Sequence, residues 1–165
     1  MSNPVFESGI ADMNFARQTT LGLLENIPQD KLTHQPCEGA NHALWIVGHL
    51  GYADLMFLTH VGKKSIEAPE NWTELFGMGS VPKSDAAAYP ALGKLKEALA
   101  DNRETLVAWF ASMSTEELAK PLPDDFKSFA SNHGMLMTSL AFHEGLHAGQ
   151  LTVIRKSLGI APMMG

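Results

Sequence analysis

Only one cysteine, Cys37, occurs in the 165 residues, so an internal disulfide is excluded and a reducing cytoplasm is the expected setting. Basic runs are also missing. None is longer than a pair such as Lys63-Lys64, and the net charge is −6, which argues against nucleic acid as a partner. There is no sustained apolar–polar alternation and no Asn-Gly or Asp-Gly turn, so no strand pattern emerges. The start, Met1-Ser2-Asn3-Pro4, lacks the basic residues and apolar run of a signal peptide. The longest apolar stretch, Ala43 to Val61, approaches membrane-spanning length. It carries His49, Asp54 and His60, however, and Asp54 at mid-span would be costly in lipid. No membrane segment is expected. An apolar content of 45% is enough for one real hydrophobic core, so residues 1–165 are read as a single soluble domain.

What is present is helical periodicity. The first helix is expected from about Val5 to Ile27, with Phe6, Ile10, Met13, Ala16, Thr20 and Leu23 on one face, stopping at Pro28. The second runs from Asn41, a plausible N-cap, to Val61, with Gly62 ending it. Leu44, Val47, Leu55 and Leu58 fall off its main face and suggest a second packing surface, against another helix or a partner subunit. The third spans about Ala91 to Met113, with Leu92, Leu95, Leu99, Asn102, Leu106 and Trp109 in register. The fourth spans about Asn132 to Leu158, before Gly159 and Pro162. Ser114-Thr115-Glu116-Glu117 reads as a capping box within the linker that precedes it. A long connection, Gly62 to Pro90, holds Trp72 and Phe76 as apolar anchors able to lie over one end of the helices. The expected architecture is an all-α, four-helix bundle of up-down type, with one long crossover connection between helices 2 and 3.

The chemistry concentrates near the C-terminus. Leu136, Leu140, His143, His147, Leu151, Ile154 and Leu158 follow one another by steps of 4, 3, 4, 4, 3 and 4, the spacing of a core-facing stripe. A single histidine on such a stripe is ordinarily a hydrogen-bonded core residue. Two at i and i+4 point the same way and can grip one ion. A third histidine on another core stripe strengthens the metal reading, because several imidazoles buried together without an ion leave polar nitrogens unsatisfied. Trp45, His49, Tyr52 and Met56 supply that stripe on the second helix. His42 and His60 lie near the same face, roughly 10 and 16 Å from His49 along the axis. His49 is central and away from the fraying ends, so His49, His143 and His147 are the candidate ligands.

His143-Glu144-Gly145-Leu146-His147 also matches the HExxH pattern of zinc peptidases, in which the glutamate is a general base. The usual peptidase takes its third ligand downstream, yet no His, Asp, Glu or Cys follows His147. Glu144 is therefore a candidate base, a hydrogen-bond partner behind the ligands, or a solvent-facing residue. Trp45 and Tyr52 share the His49 face and are candidate pocket residues. Gln150, one turn beyond His147, is a candidate to orient a ligand ring. Arg155 reads as an exposed cation favoured by the helix dipole, or as a receptor for a carboxylate.

Together these residues resemble the DinB-like superfamily. The likeness lies in Trp45-Ile46-Val47-Gly48-His49-Leu50 ahead of Asp54, in Phe76-Gly77-Met78-Gly79-Ser80, in Tyr89-Pro90, and in the run His143 to Leu151 containing HxxxHxxQ. It covers nearly the whole chain in order. The resemblance implies a four-helix bundle that binds one divalent metal ion through three histidines, here His49, His143 and His147, and it implies frequent homodimers. Members with assigned activity include metal-dependent transferases and isomerases that use low-molecular-weight thiols such as bacillithiol or mycothiol. Three neutral imidazoles leave coordination positions open, as in catalytic sites, with zinc or nickel the expected ions. The expected reactions are thiol S-transfer to a small electrophile, or hydrolysis by water activated on the ion. A non-enzymatic metal-binding dimer is the remaining alternative.

Overall fold

The computed structural model describes residues 4–163 and places helices where the periodicity puts them, with shifted ends. Four are long: α1 (Pro4–Leu24), α2 (Ala43–His60), α4 (Leu92–Ala111) and α6 (His133–Ser157). Two are short: α3 (Trp72–Phe76) within the long connection, and α5 (Thr115–Ala119) before α6. Among the described residues there is no strand, only an isolated bridge between Pro121 and Asn132. No described helix is long and apolar enough to cross a membrane.

The ends have local causes. Helix α1 stops at Leu24, three residues before the expected Ile27, as Asn26 turns left-handed at φ 65°. Its last carbonyls are taken by Arg155, whose Nη1 donates to Leu23 at 3.0 Å and Glu25 at 2.6 Å. That corrects the expectation for Arg155: it is a buried clamp on the end of α1, neither an exposed cation nor a carboxylate receptor. The N-cap of α2 is His42 rather than Asn41. His42 Nδ1 accepts from the Trp45 amide at 3.0 Å, and its Nε2 lies 3.0 Å from the Lys83 carbonyl. At α5 the capping box forms in full, so Ser114–Glu117 opens a short helix inside the linker. Asn132 caps α6, accepting from Met135 N at 2.8 Å.

Helix α1 packs chiefly along α6, and α2 along α4. The contacts between α2 and α6, and between α1 and α4, are much slighter. Leu44, Val47, Leu55 and Leu58 are all buried inside the chain, so the second surface of α2 is covered by its own neighbours and is not free for a partner. The Leu99 backbone passes close to Gly51, 3.4 Å from where a Cβ would stand. Asn102 Nδ2 donates to the Gly51 carbonyl across the same seam at 2.9 Å.

The apolar core falls into two clusters. One joins Leu23, Ile46, Leu50, Leu95, Leu99 and Leu151 with α3; the other joins Met13, Phe57, Leu58, Leu106, Phe110 and Leu140 with α5. Between them each long helix carries a buried charged residue: Arg17 on α1, Asp54 on α2, Arg103 on α4 and Glu144 on α6. The core is thus two apolar halves separated by a polar layer.

Candidate metal centre

Three side chains meet beside that layer. His143 Nε2 lies 3.2 Å from His49 Nε2 and 3.2 Å from His147 Nε2, and one ligand atom from each of the three lies within 4.8 Å of the others. The opposite edges of two rings are tied down. His49 Nδ1 donates to the Phe76 carbonyl at 2.7 Å, and His147 Nδ1 donates to Gln150 Oε1 at 3.0 Å. A carbonyl oxygen can only accept, so the proton of each neutral ring sits on Nδ1 and the lone pair on Nε2. Both lone pairs then aim at His143 Nε2, which can donate to one of them at most. Among the described residues nothing else satisfies the remaining pair.

Burial pushes His49 down to about 4, against the smaller opposing pull of the Phe76 hydrogen bond. Burial, reinforced by His147 and His49, brings His143 to about 4 as well. Burial also lowers His147. All three rings are accordingly neutral near pH 7, the state in which imidazole is a ligand. Two nitrogens bound to one tetrahedral zinc stand about 3.4 Å apart, close to the 3.2 Å that separates His143 Nε2 from each of the other two rings. The donor set therefore fits a single borderline cation.

The surroundings hold this geometry. Trp45 stacks on His49 with ring centres 4.5 Å apart and planes within 9°, and its Nε1 donates to Ser80 Oγ at 3.0 Å. The Phe129 ring stands 6.0 Å from that of His143. Gly48 is needed because the Phe76 ring crosses its face: a Cβ there would lie 2.1 Å from Phe76 Cε1. The Gly-His pair and the Phe-Gly-Met-Gly-Ser segment are thus one unit. Phe76 lies over Gly48 and supplies the oxygen that orients His49. Gln150 also accepts from Asn41 Nδ2 at 3.1 Å, which fixes its oxygen toward His147.

Several expected residues lie elsewhere. His42 is consumed as a helix cap. His60 is exposed, its ring beside Phe126. Tyr52 is buried, and its hydroxyl donates to Thr73 Oγ1 at 3.0 Å, pinning α3 to α2. Glu144 neither faces solvent nor is free as a general base. It is wholly buried, with Oε1 taken by Arg17 Nε at 2.6 Å and Oε2 by Arg103 Nη2 at 2.8 Å. With both oxygens already engaged by guanidinium groups, the carboxylate is not available to a water at the histidines, so the peptidase role does not fit.

Asp54 completes this cluster. Arg103 bonds it through Nε at 2.8 Å and Nη2 at 3.1 Å, and Arg17 Nη2 reaches it at 3.1 Å. Arg17 and Arg103 escaped the reading of the sequence, and Asp54 entered it only as a charge unsuited to lipid and as a landmark of the resemblance, yet a signal was present. Each stands at a stripe position: Met13-Arg17-Thr20, Leu50-Asp54-Leu58 and Leu99-Arg103-Leu106. One charge on the apolar stripe of every long helix marks a buried cluster. The Phe76 carbonyl carried no such signal, because it belongs to the main chain.

No curated protein matches the chain. A family model, however, matches residues 13–151, a span that takes in all three histidines, the segment Phe76–Ser80 and Gln150. By that match the chain belongs to the DinB superfamily.

Proposed function

We propose that this protein is a divalent-metal-dependent enzyme whose ion is held by His49, His143 and His147, and that its reaction is S-transfer of a low-molecular-weight thiol to a small electrophile. The observation that carries the reading is the convergence of three neutral imidazoles on one point with two lone pairs opposed. A divalent ion on three nitrogen ligands retains open positions and stabilises the thiolate form of a thiol near neutral pH. The chain's own residues then bind and orient. Phe76 and Gln150 fix two ligand rings, and Trp45 walls one side. His49 and His143 are only part-buried, which supports access from solvent and speaks against a closed, purely structural site. Membership of the DinB superfamily, whose members are generally metal-dependent, supports the reading too. Hydrolysis on the HExxH plan is disfavoured by the engagement of Glu144 with Arg17 and Arg103.

We also propose an up-down four-helix bundle with its long crossover between α2 and α4, a cytoplasmic location and a homodimer. An exposed apolar row on α6, Met135, Phe142, Leu146 and Val153, supports the dimer, together with Phe15 on neighbouring α1. Zinc and nickel are the ions of choice.

The decisive experiment is elemental analysis of untagged protein prepared without chelator, followed by a thiol-consumption screen against several electrophiles. About one divalent ion per chain, lost in His49→Ala, His143→Ala and His147→Ala together with thiol turnover, is the expected result. Absence of stoichiometric metal overturns the assignment. Metal without thiol turnover leaves the site and overturns the transferase.

A further inference from the structure

The three ligands come from two helices whose backbones approach each other at few points. His49 lies on α2 and the histidine pair on α6, yet α2 packs mainly on α4, and α6 on α1. A donor set that needs sub-ångström placement requires something besides apolar contact to set α2 against α6.

We infer that the buried cluster Arg17, Asp54, Arg103 and Glu144 is a positioning device for the metal site, locking α2 and α6 in the rotation and axial register at which the three histidines converge. This rests on the reading of the trio as a metal site. Both ligand-bearing helices have a member in the cluster. On α6, Glu144 directly follows His143, about 100° and 1.5 Å away, so any rotation or slide that disturbs its bonds also moves both rings. On α2, Asp54 stands five residues beyond His49, about 7.5 Å along the axis. Arg103 is the bridge. Its planar fork donates to Asp54 on one helix and Glu144 on the other, through bonds of 2.8, 3.1 and 2.8 Å. Arg17 closes the ring on the same two carboxylates, at 2.6 and 3.1 Å. The spare N–H groups are anchored to the main chain, Arg17 to Leu99 O and Arg103 to Met13 O.

Stability alone does not account for the arrangement. Burying four charges costs about as much desolvation as their attraction returns, and apolar replacements of similar volume are often no less stable. Geometry is what apolar side chains would not supply: they tolerate a helix slipped by a fraction of a turn, whereas bidentate charge pairs do not.

The test is a cobalt(II) chloride titration of the full-length protein, read as affinity and as the visible d–d spectrum, with circular dichroism as the control for folding. Arg103→Lys keeps the charge and removes the fork; Glu144→Asp keeps the charge and shortens the arm. Both are expected to stay helical, to bind cobalt about 10- to 100-fold more weakly, and to change the d–d envelope. Wild-type affinity and spectrum in both variants would overturn the inference. If either unfolds, the charge-free set Arg17→Met, Asp54→Leu, Arg103→Met and Glu144→Leu decides. A helical protein with weakened, spectrally altered cobalt binding sustains the inference. Unchanged binding, or unfolding here too, assigns the cluster to maintaining the fold and rejects it. Failure of the unaltered chain to bind cobalt is a separate outcome: it removes the metal site, and this inference with it.

Discussion

In the charged cluster every carboxylate oxygen faces a guanidinium and no cluster atom is left without a partner. Beside it, two imidazoles turn lone pairs toward a third, which has too few protons to satisfy both. The two groups are neighbours and share two helices, α2 and α6, but one is closed and the other open. Polar groups that satisfy each other serve the architecture; polar groups that face each other as acceptors are a receptor for a cation. The lower charge density of the histidines is what lets them wait for an ion. Desolvation keeps them neutral instead of forcing a compensating charge into place.

The sharpest way to break the closed half is Glu144→Gln, which leaves two guanidinium groups against one carboxylate in a buried site. Metal-free protein is expected to lose about 3–5 kcal/mol in urea unfolding. Removing all four charges together should cost far less.

Acid is the corresponding way to break the open half. The folded-state values of His49 and His143 lie at about 4, below the ordinary 6.5 of an unfolded chain. Metal-free stability from these groups is therefore intact above pH 6.5 and lost progressively as pH falls toward 4, because the unfolded state takes up protons first. Urea midpoints measured between pH 7 and 4 should follow that curve, and His49→Ala should flatten it.

Gly48→Ala comes next. A methyl group there collides with the Phe76 ring, so a loss of about 1–3 kcal/mol is expected from thermal or urea unfolding. Metal affinity should fall with it as the Phe76 carbonyl moves off His49. The smallest expected effect on the fold is that of Gln150→Ala, an exposed position whose loss changes metal-free stability by less than about 0.5 kcal/mol. It should still weaken metal binding roughly tenfold, by releasing the His147 ring.

The helices were legible because their stripes are long and regular, and the histidine pair because it interrupts one of those stripes. The choice of His49 over His42 and His60 also followed from position alone, since ends are occupied by capping and exposure. Helix ends were less legible. A histidine serving as N-cap and an arginine clamping another helix's last carbonyls depend on contacts between distant segments. The charged cluster was hidden for a different reason. Each member looks like an ordinary surface charge until all four stripes are compared, and its meaning exists only across helices. The partner of Tyr52 was hidden as well, because a shared helical face does not fix how far a side chain reaches.

The oxygen that sets the His49 ring belongs to the peptide unit of residue 76 and not to a side chain. No substitution at that residue can delete it; it can only be carried away if the turn itself shifts. The stretch from Gly62 to Pro90 is therefore free to vary its outward chemistry, as at the fully exposed Met78, while the ring stays aimed.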